Sequence, residues 1–115
     1  MQTRPYSGIW PVAPTPFTET GAVDDDGMRR VLDCMIDQGC DGICILANFS
    51  EQFLISDAER EHLTRLCLEH VAGRLPVIVT ISHFATDIAV ARARQAKELG
   101  AAIVMMMAPY HGALL

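Results

Sequence analysis

Short runs rich in valine and isoleucine alternate along this chain with segments of helical period, and this alternation limits the folds that the chain can adopt. Short apolar runs of this kind are typical of strands that are buried on both faces. They lie at 9–13, 42–46, 76–81 and 102–107. Three helical segments lie between them, so the predicted element order is βαβαβαβ. That order requires right-handed crossovers and parallel strands, and it predicts an α/β fold.

Capping residues predict where the three helices begin. Asp24 can accept a hydrogen bond from the first turn of the first helix. The second helix opens with Ser56 and Glu59, whose spacing is that of a capping box. The third helix is predicted over 86–99, with Thr86 as its cap.

Each predicted helix carries an apolar stripe that can pack against the sheet. In the third helix the stripe consists of alanine, which lets a helix lie close to its neighbours. The members are Met28, Val31, Leu32, Met35 and Ile36 in the first helix, Leu63, Leu66, Cys67 and Val71 in the second, and Ala89, Ala93 and Ala96 in the third.

Composition and charge disfavour several classes of protein. The net charge is −5, so the chain offers nucleic acid no basic surface. The longest apolar stretch, 101–109, is far shorter than the roughly 20 residues of a membrane-spanning helix. The first seven residues contain no apolar segment of a secretory signal, so we expect a cytoplasmic protein without membrane or nucleic-acid partners.

The cysteine and histidine spacings do not predict a metal site. Cys34, Cys40, Cys44 and Cys67 contain no CxxC pair, and Cys44 falls in a predicted buried strand. Free thiols are therefore favoured over a disulfide framework or a zinc site. His62 and His70 lie on a predicted helix, where we expect structural or solvated roles. We expect no metal and no cofactor.

The strongest candidate site follows the second predicted strand, where the apolar run breaks into Ala-Asn-Phe-Ser-Glu at 47–51. Ligands of parallel α/β proteins collect at the carboxyl ends of strands. His83 and His111 also follow predicted strands and fall at the same edge. An open sheet that binds dinucleotides is disfavoured, because the first turn, 14–17, contains no glycine.

Several motifs, in order along almost the whole chain, resemble the dihydrodipicolinate synthase/N-acetylneuraminate lyase family. The motifs are 8–17 (GIWPVAPTPF), 39–42 (GCDG), Glu51 with Ser56 and Glu59, 73–78 (GRLPVI), 97–101 (KELGA) and 108–110 (APY). The resemblance implies a (βα)8 TIM barrel, commonly a homotetramer, that forms a Schiff base between a lysine and a 2-oxo acid such as pyruvate. An eight-fold barrel needs about 250 residues. Residues 1–115 are therefore expected to form its N-terminal half, with strands 1–4 and helices 1–3 and without the C-terminal half.

The resemblance also implies roles for particular residues. The substrate carboxylate would be bound by backbone N–H groups of Phe49 and Ser50. Asn48 stands where the family has a threonine hydroxyl that relays protons, and an amide is a poor proton relay. His111 stands where the family has a relay tyrosine. Asn48 and His111 thus occupy the two proton-relay positions of the family, and by this resemblance we predict both as catalytic positions.

These departures resemble the sugar-acid dehydratase branch of the family, and they add Tyr110 and His83 to the predicted substrate-binding residues Asn48, Phe49 and Ser50. The implied reaction removes water from 2-keto-3-deoxy-L-arabonate to give 2-oxoglutarate semialdehyde. A 4-hydroxy-tetrahydrodipicolinate synthase or an N-acetylneuraminate lyase-type aldolase remains an alternative.

The family places its Schiff-base lysine on the sixth strand and a companion tyrosine near the fifth. The only lysine of this chain is Lys97, within the third predicted helix. We therefore expect the chain alone to lack imine chemistry. Two further alternatives are a non-catalytic half-barrel that binds or assembles with a partner, and a truncated inactive product.

Overall fold

The computed structural model describes residues 6–108. Within that range the three helices and the last three predicted strands alternate as the sequence predicts. The elements are α1 (Asp25–Asp37), β1 (Ile43–Ile45), α2 (Asp57–Val71), β2 (Val77–Thr80), α3 (Thr86–Glu98) and β3 (Ile103–Met105), with a 3-10 helix at Gln52–Leu54 between β1 and α2.

The three strands form a parallel sheet in the order β1-β2-β3. This confirms the predicted parallel α/β architecture. The run at 9–13, predicted as a full strand, contributes only an isolated parallel bridge between Val12 and Cys44. Pro11 lies inside this run and has no N–H to give to a ladder, so regular pairing does not develop there.

The capping predictions hold for two helices and are wrong for the third. Asp24 accepts a hydrogen bond from the Gly27 N–H at 2.9 Å. Ser56 and Glu59 form both bonds of the capping box. In α3 the N-cap is Ala85, which has no side-chain capping bond, and the predicted cap Thr86 is the first helical residue. The Ala85 N–H donates instead to Nδ1 of His83, which places the helix start one residue earlier than predicted.

The predicted stripes form the core between the helices and the sheet. All four members in α2 are buried, as are three of the five in α1 and two of the three alanines in α3. The remaining members, Val31, Ile36 and Ala93, are partly buried and pack against that core.

Two histidine–aspartate pairs join the outer faces of α1 and α2. Nε2 of His62 lies 2.8 Å from Asp25 Oδ2, and Nε2 of His70 lies 2.8 Å from Asp33 Oδ1. Each pair joins residues 37 positions apart, so the helices are held in one register. These contacts give both histidines a structural role.

Candidate functional site

The loop after β1 lies between two residues whose backbones are left-handed. Leu46 has a φ of 60° and Glu51 a φ of 61°. This conformation costs a residue with a Cβ atom about 1–2 kcal/mol, so tertiary contacts impose it. Backbone strain of this kind collects at ligand-binding sites, which supports the loop 47–51 as a candidate site.

Ser50 ties this loop to the fold. Its side chain is 1% exposed, and its hydroxyl donates to the Ala13 carbonyl oxygen at 2.5 Å. Its backbone N–H donates to the Ala47 carbonyl at 3.0 Å. A substrate oxygen could therefore reach the Ser50 N–H only by sharing or replacing that bond.

Asn48 and Phe49 are the exposed residues of the loop. The Phe49 side chain is 68% exposed. Within residues 6–108, the Phe49 backbone N–H and the Asn48 side-chain Nδ2 have no hydrogen-bond acceptor. These two donors are adjacent in sequence at the carboxyl end of β1.

A chain of hydrogen bonds connects Asn48 to the end of the neighbouring strand. Asn48 Oδ1 accepts from Gln52 Nε2 at 2.7 Å, and Gln52 Oε1 accepts from Arg60 Nη2 at 2.9 Å. The other terminal nitrogen of Arg60, Nη1, donates to the Thr80 carbonyl oxygen at 2.7 Å. Gln52, Arg60 and Thr80 are all buried, so the chain is largely shielded from water.

The environment of Arg60 is unusual for a charged side chain. Burial, together with the nearby guanidinium of Arg92, lowers the pKa of Arg60 to about 10. The side chain is still a cation at neutral pH. Its direct partners are a carbonyl and an amide rather than a carboxylate.

His83 lies after β2, as predicted, and is half-buried. Its Nδ1 accepts a hydrogen bond from the Ala85 N–H at 2.9 Å. The neutral imidazole therefore carries its proton on Nε2, where it can donate to a ligand.

A pocket of about 240 Å³ opens at the carboxyl ends of the strands. His83 lines it together with Gln52, Arg60 and Arg92. Gln52 also donates a hydrogen bond to Asn48, but Asn48, Phe49 and Ser50 do not themselves line this pocket. Tyr110 and His111 lie outside the described residues.

Sequence reasoning missed Gln52, Arg60 and Arg92. Arg60 gave a signal, since it lies three residues before Leu63 and seven before Cys67 and thus falls on the core stripe of α2. A charged residue on such a stripe is rarely buried without a specific partner. Gln52 and Arg92 gave no comparable signal.

Among residues 6–108, no group of three or more His, Cys, Asp or Glu side chains is placed to hold a metal ion. None of the helices in that same range is both long enough and apolar enough to cross a membrane.

Comparison with known proteins matches residues 5–114 to the dihydrodipicolinate synthetase family. Among curated proteins, the chain is 60% identical over 111 residues to L-2-keto-3-deoxyarabonate dehydratase of Azospirillum brasilense. That match covers 96% of this chain and 36% of the relative.

The solved structures that this chain resembles include members of the same family. Dihydrodipicolinate synthase from Aquifex aeolicus matches with a TM-score of 0.88 and 29% identity, over 92% of this chain and 36% of that one. A second match is YagE, a prophage protein of the dihydrodipicolinic acid synthase family from E. coli K12 that was solved in complex with pyruvate. Its TM-score is 0.91 and its identity is 26%, over 97% of this chain and 38% of that one. The chain thus spans about a third of the length of these relatives, and its fold matches the N-terminal part of a TIM barrel.

Proposed function

The chain belongs to the dihydrodipicolinate synthetase family, and from that premise we propose that it forms the N-terminal part of a lyase that acts on a 2-oxo acid through a lysine imine. Residues 1–115 would supply the first strands of the barrel and the loops that bind the acid. The amine that attacks the keto group would come from a later strand, as the family resemblance implies. The whole enzyme would be a homotetramer, which sedimentation of the full-length polypeptide can measure.

We propose 2-keto-3-deoxy-L-arabonate as the substrate. The observation that carries this is the 60% identity to a dehydratase of that acid, against 29% to the Aquifex synthase over a similar length. Asn48 in place of a hydroxyl agrees with it, because this departure is part of the resemblance to the sugar-acid dehydratase branch.

In the proposed reaction the lysine amine adds to the C2 ketone and water leaves, which gives an iminium. Loss of a C3 proton gives an enamine, whose electrons expel the C4 hydroxyl as water once it has gained a proton. Tautomerisation and hydrolysis, which takes up one water, release 2-oxoglutarate semialdehyde and the free lysine. The net change is the loss of one water from the substrate.

The residues of this chain would bind and orient the acid. The Asn48 amide and the Phe49 N–H would donate to substrate oxygens, with Ser50 holding the loop and Tyr110 completing the site. Nε2 of His83 would donate from the neighbouring strand end. His111 would carry a proton to or from the reacting atoms.

The test uses the full-length polypeptide encoded by the gene that carries this sequence. We expect it to convert 2-keto-3-deoxy-L-arabonate to the semialdehyde, measured by coupling to an NAD-linked aldehyde dehydrogenase. Condensation of pyruvate with aspartate semialdehyde, without action on the sugar acid, would instead assign the synthase activity and overturn the proposal.

A further inference from the structure

The hydrogen-bond chain from Arg60 to Asn48 has a direction. A guanidinium can only donate hydrogen bonds, whereas a side-chain amide donates from one end and accepts at the other. The orientation of an amide in a protein is therefore set by its partners. Here Arg60, the first member of the hydrogen-bond chain, fixes the orientation of the Gln52 and Asn48 amides.

Arg60 Nη2 donates to Gln52, so Gln52 must turn its Oε1 toward the guanidinium. Its Nε2 then points to Asn48 and donates across 2.7 Å, so Asn48 must turn its Oδ1 toward Gln52. The Asn48 Nδ2 group is left at the exposed end, without an acceptor among the described residues. Reversing either amide would set two donors or two acceptors against each other.

The buried cation also strengthens the outermost donor. Hydrogen bonds in a chain polarise one another, and the effect is larger away from water. Gln52 is 5% exposed and Arg60 is 7% exposed. An oxygen acceptor, such as a carboxylate or hydroxyl oxygen of a 2-oxo sugar acid, is the group that matches an amide donor polarised in this way.

We propose that Asn48 binds an oxygen of the substrate as an obligate donor, and that Gln52 and Arg60 are positioning residues that hold its amide in that orientation. The proposal rests on the proposed function. It assigns to two buried residues the role of orienting the Asn48 amide.

The first test is Asn48→Asp in the full-length polypeptide. Aspartate keeps an oxygen for Gln52 Nε2, so a purely structural role of Asn48 would survive, but it replaces the donor with an acceptor. We expect kcat/KM for 2-keto-3-deoxy-L-arabonate to fall about 10- to 100-fold, the range for a lost hydrogen bond to a charged group. Activity relative to the parent should recover as the pH falls and the new carboxyl becomes protonated.

The second test is Gln52→Glu, which separates orientation from stability. Glutamate can accept from Arg60 but cannot donate to Asn48, so Asn48 should turn its amide and present an oxygen to the substrate. We expect the same order of loss in kcat/KM, with a thermal midpoint no lower than that of the parent. Gln38→Glu makes the same chemical change at the exposed C-cap residue of α1, far in the chain from the Asn48 loop, and should leave kcat/KM unchanged.

The outcomes separate this inference from the proposed function. If the parent does not dehydrate the sugar acid, the proposed function fails, and the inference fails with it. If the parent is active and Asn48→Asp and Gln52→Glu both keep parental kcat/KM and pH profiles, the inference alone is overturned.

Discussion

The Ser50 hydroxyl donates a hydrogen bond to the Ala13 carbonyl oxygen at 2.5 Å, and so joins the loop after β1 to the segment that forms an isolated bridge with β1. The two residues lie 37 positions apart, and both are buried. The bond holds in place a loop whose backbone is left-handed at both ends.

Ser50→Ala is therefore expected to destabilise the protein. The substitution removes the donor and leaves a buried carbonyl oxygen without its partner, which costs about 1–3 kcal/mol. The thermal midpoint of the full-length polypeptide measures the loss. Ser7→Ala, at an exposed serine, is the matched control and should have no effect. An unchanged midpoint for Ser50→Ala would mean that the loop does not depend on this bond.

Equivalent substitutions at the starts of α2 and α3 should have different effects. Ser56→Ala removes the capping box and should lower the free energy of unfolding by about 1 kcal/mol. Thr86→Ala removes a side chain that caps nothing, so its effect should stay within about 0.5 kcal/mol. Urea unfolding of both variants checks the difference. Equal losses would show that Thr86 has a role that the structure does not reveal.

The features that sequence reasoning predicted correctly depend on residues within a turn or two of each other. The capping box of Ser56 and Glu59 and the stripe of α2 are examples, because helical geometry alone brings their members together. The Ser50–Ala13 bond and the Arg60–Gln52 contact depend on how loops and helices pack, which leaves no periodic pattern. Thr86 was predicted as a cap because residue type favoured it, whereas the His83–Ala85 contact fixes the helix start.

The contact between α1 and α2 should weaken in acid through Asp33. The hydrogen bond from His70, opposed by desolvation and aided by Arg74, lowers the pKa of this carboxyl in the folded protein. The stabilisation that ionised Asp33 contributes is thus fully present above the pKa of this residue in the unfolded state, about 3.9. It is lost as the pH falls through the lower pKa of Asp33 in the folded state.

Asp33→Asn should accordingly lower the thermal midpoint at pH 6 and have a smaller effect as the pH falls below about 4. Midpoints of parent and variant, measured across this range in parallel, test the prediction. Asp37→Asn, at an exposed carboxylate in the last turn of the same helix, is the control. If the difference in thermal midpoint between Asp33→Asn and the parent did not change with pH, the prediction would be wrong.

Lys97 is expected to take no part in imine formation. It is exposed in the last turn of α3. Ala102, just beyond that helix, donates its N–H to Val77 at the start of β2, so Lys97 lies at the opposite end of the sheet from Asn48. Trapping with pyruvate and borohydride, followed by peptide mapping of the full-length polypeptide, should place the adduct on a lysine outside residues 1–115. Lys97→Arg should leave adduct yield and turnover unchanged, and the isolated 115-residue polypeptide should give no adduct. An adduct on Lys97 that tracks turnover would refute the assignment of the reactive amine to a later strand.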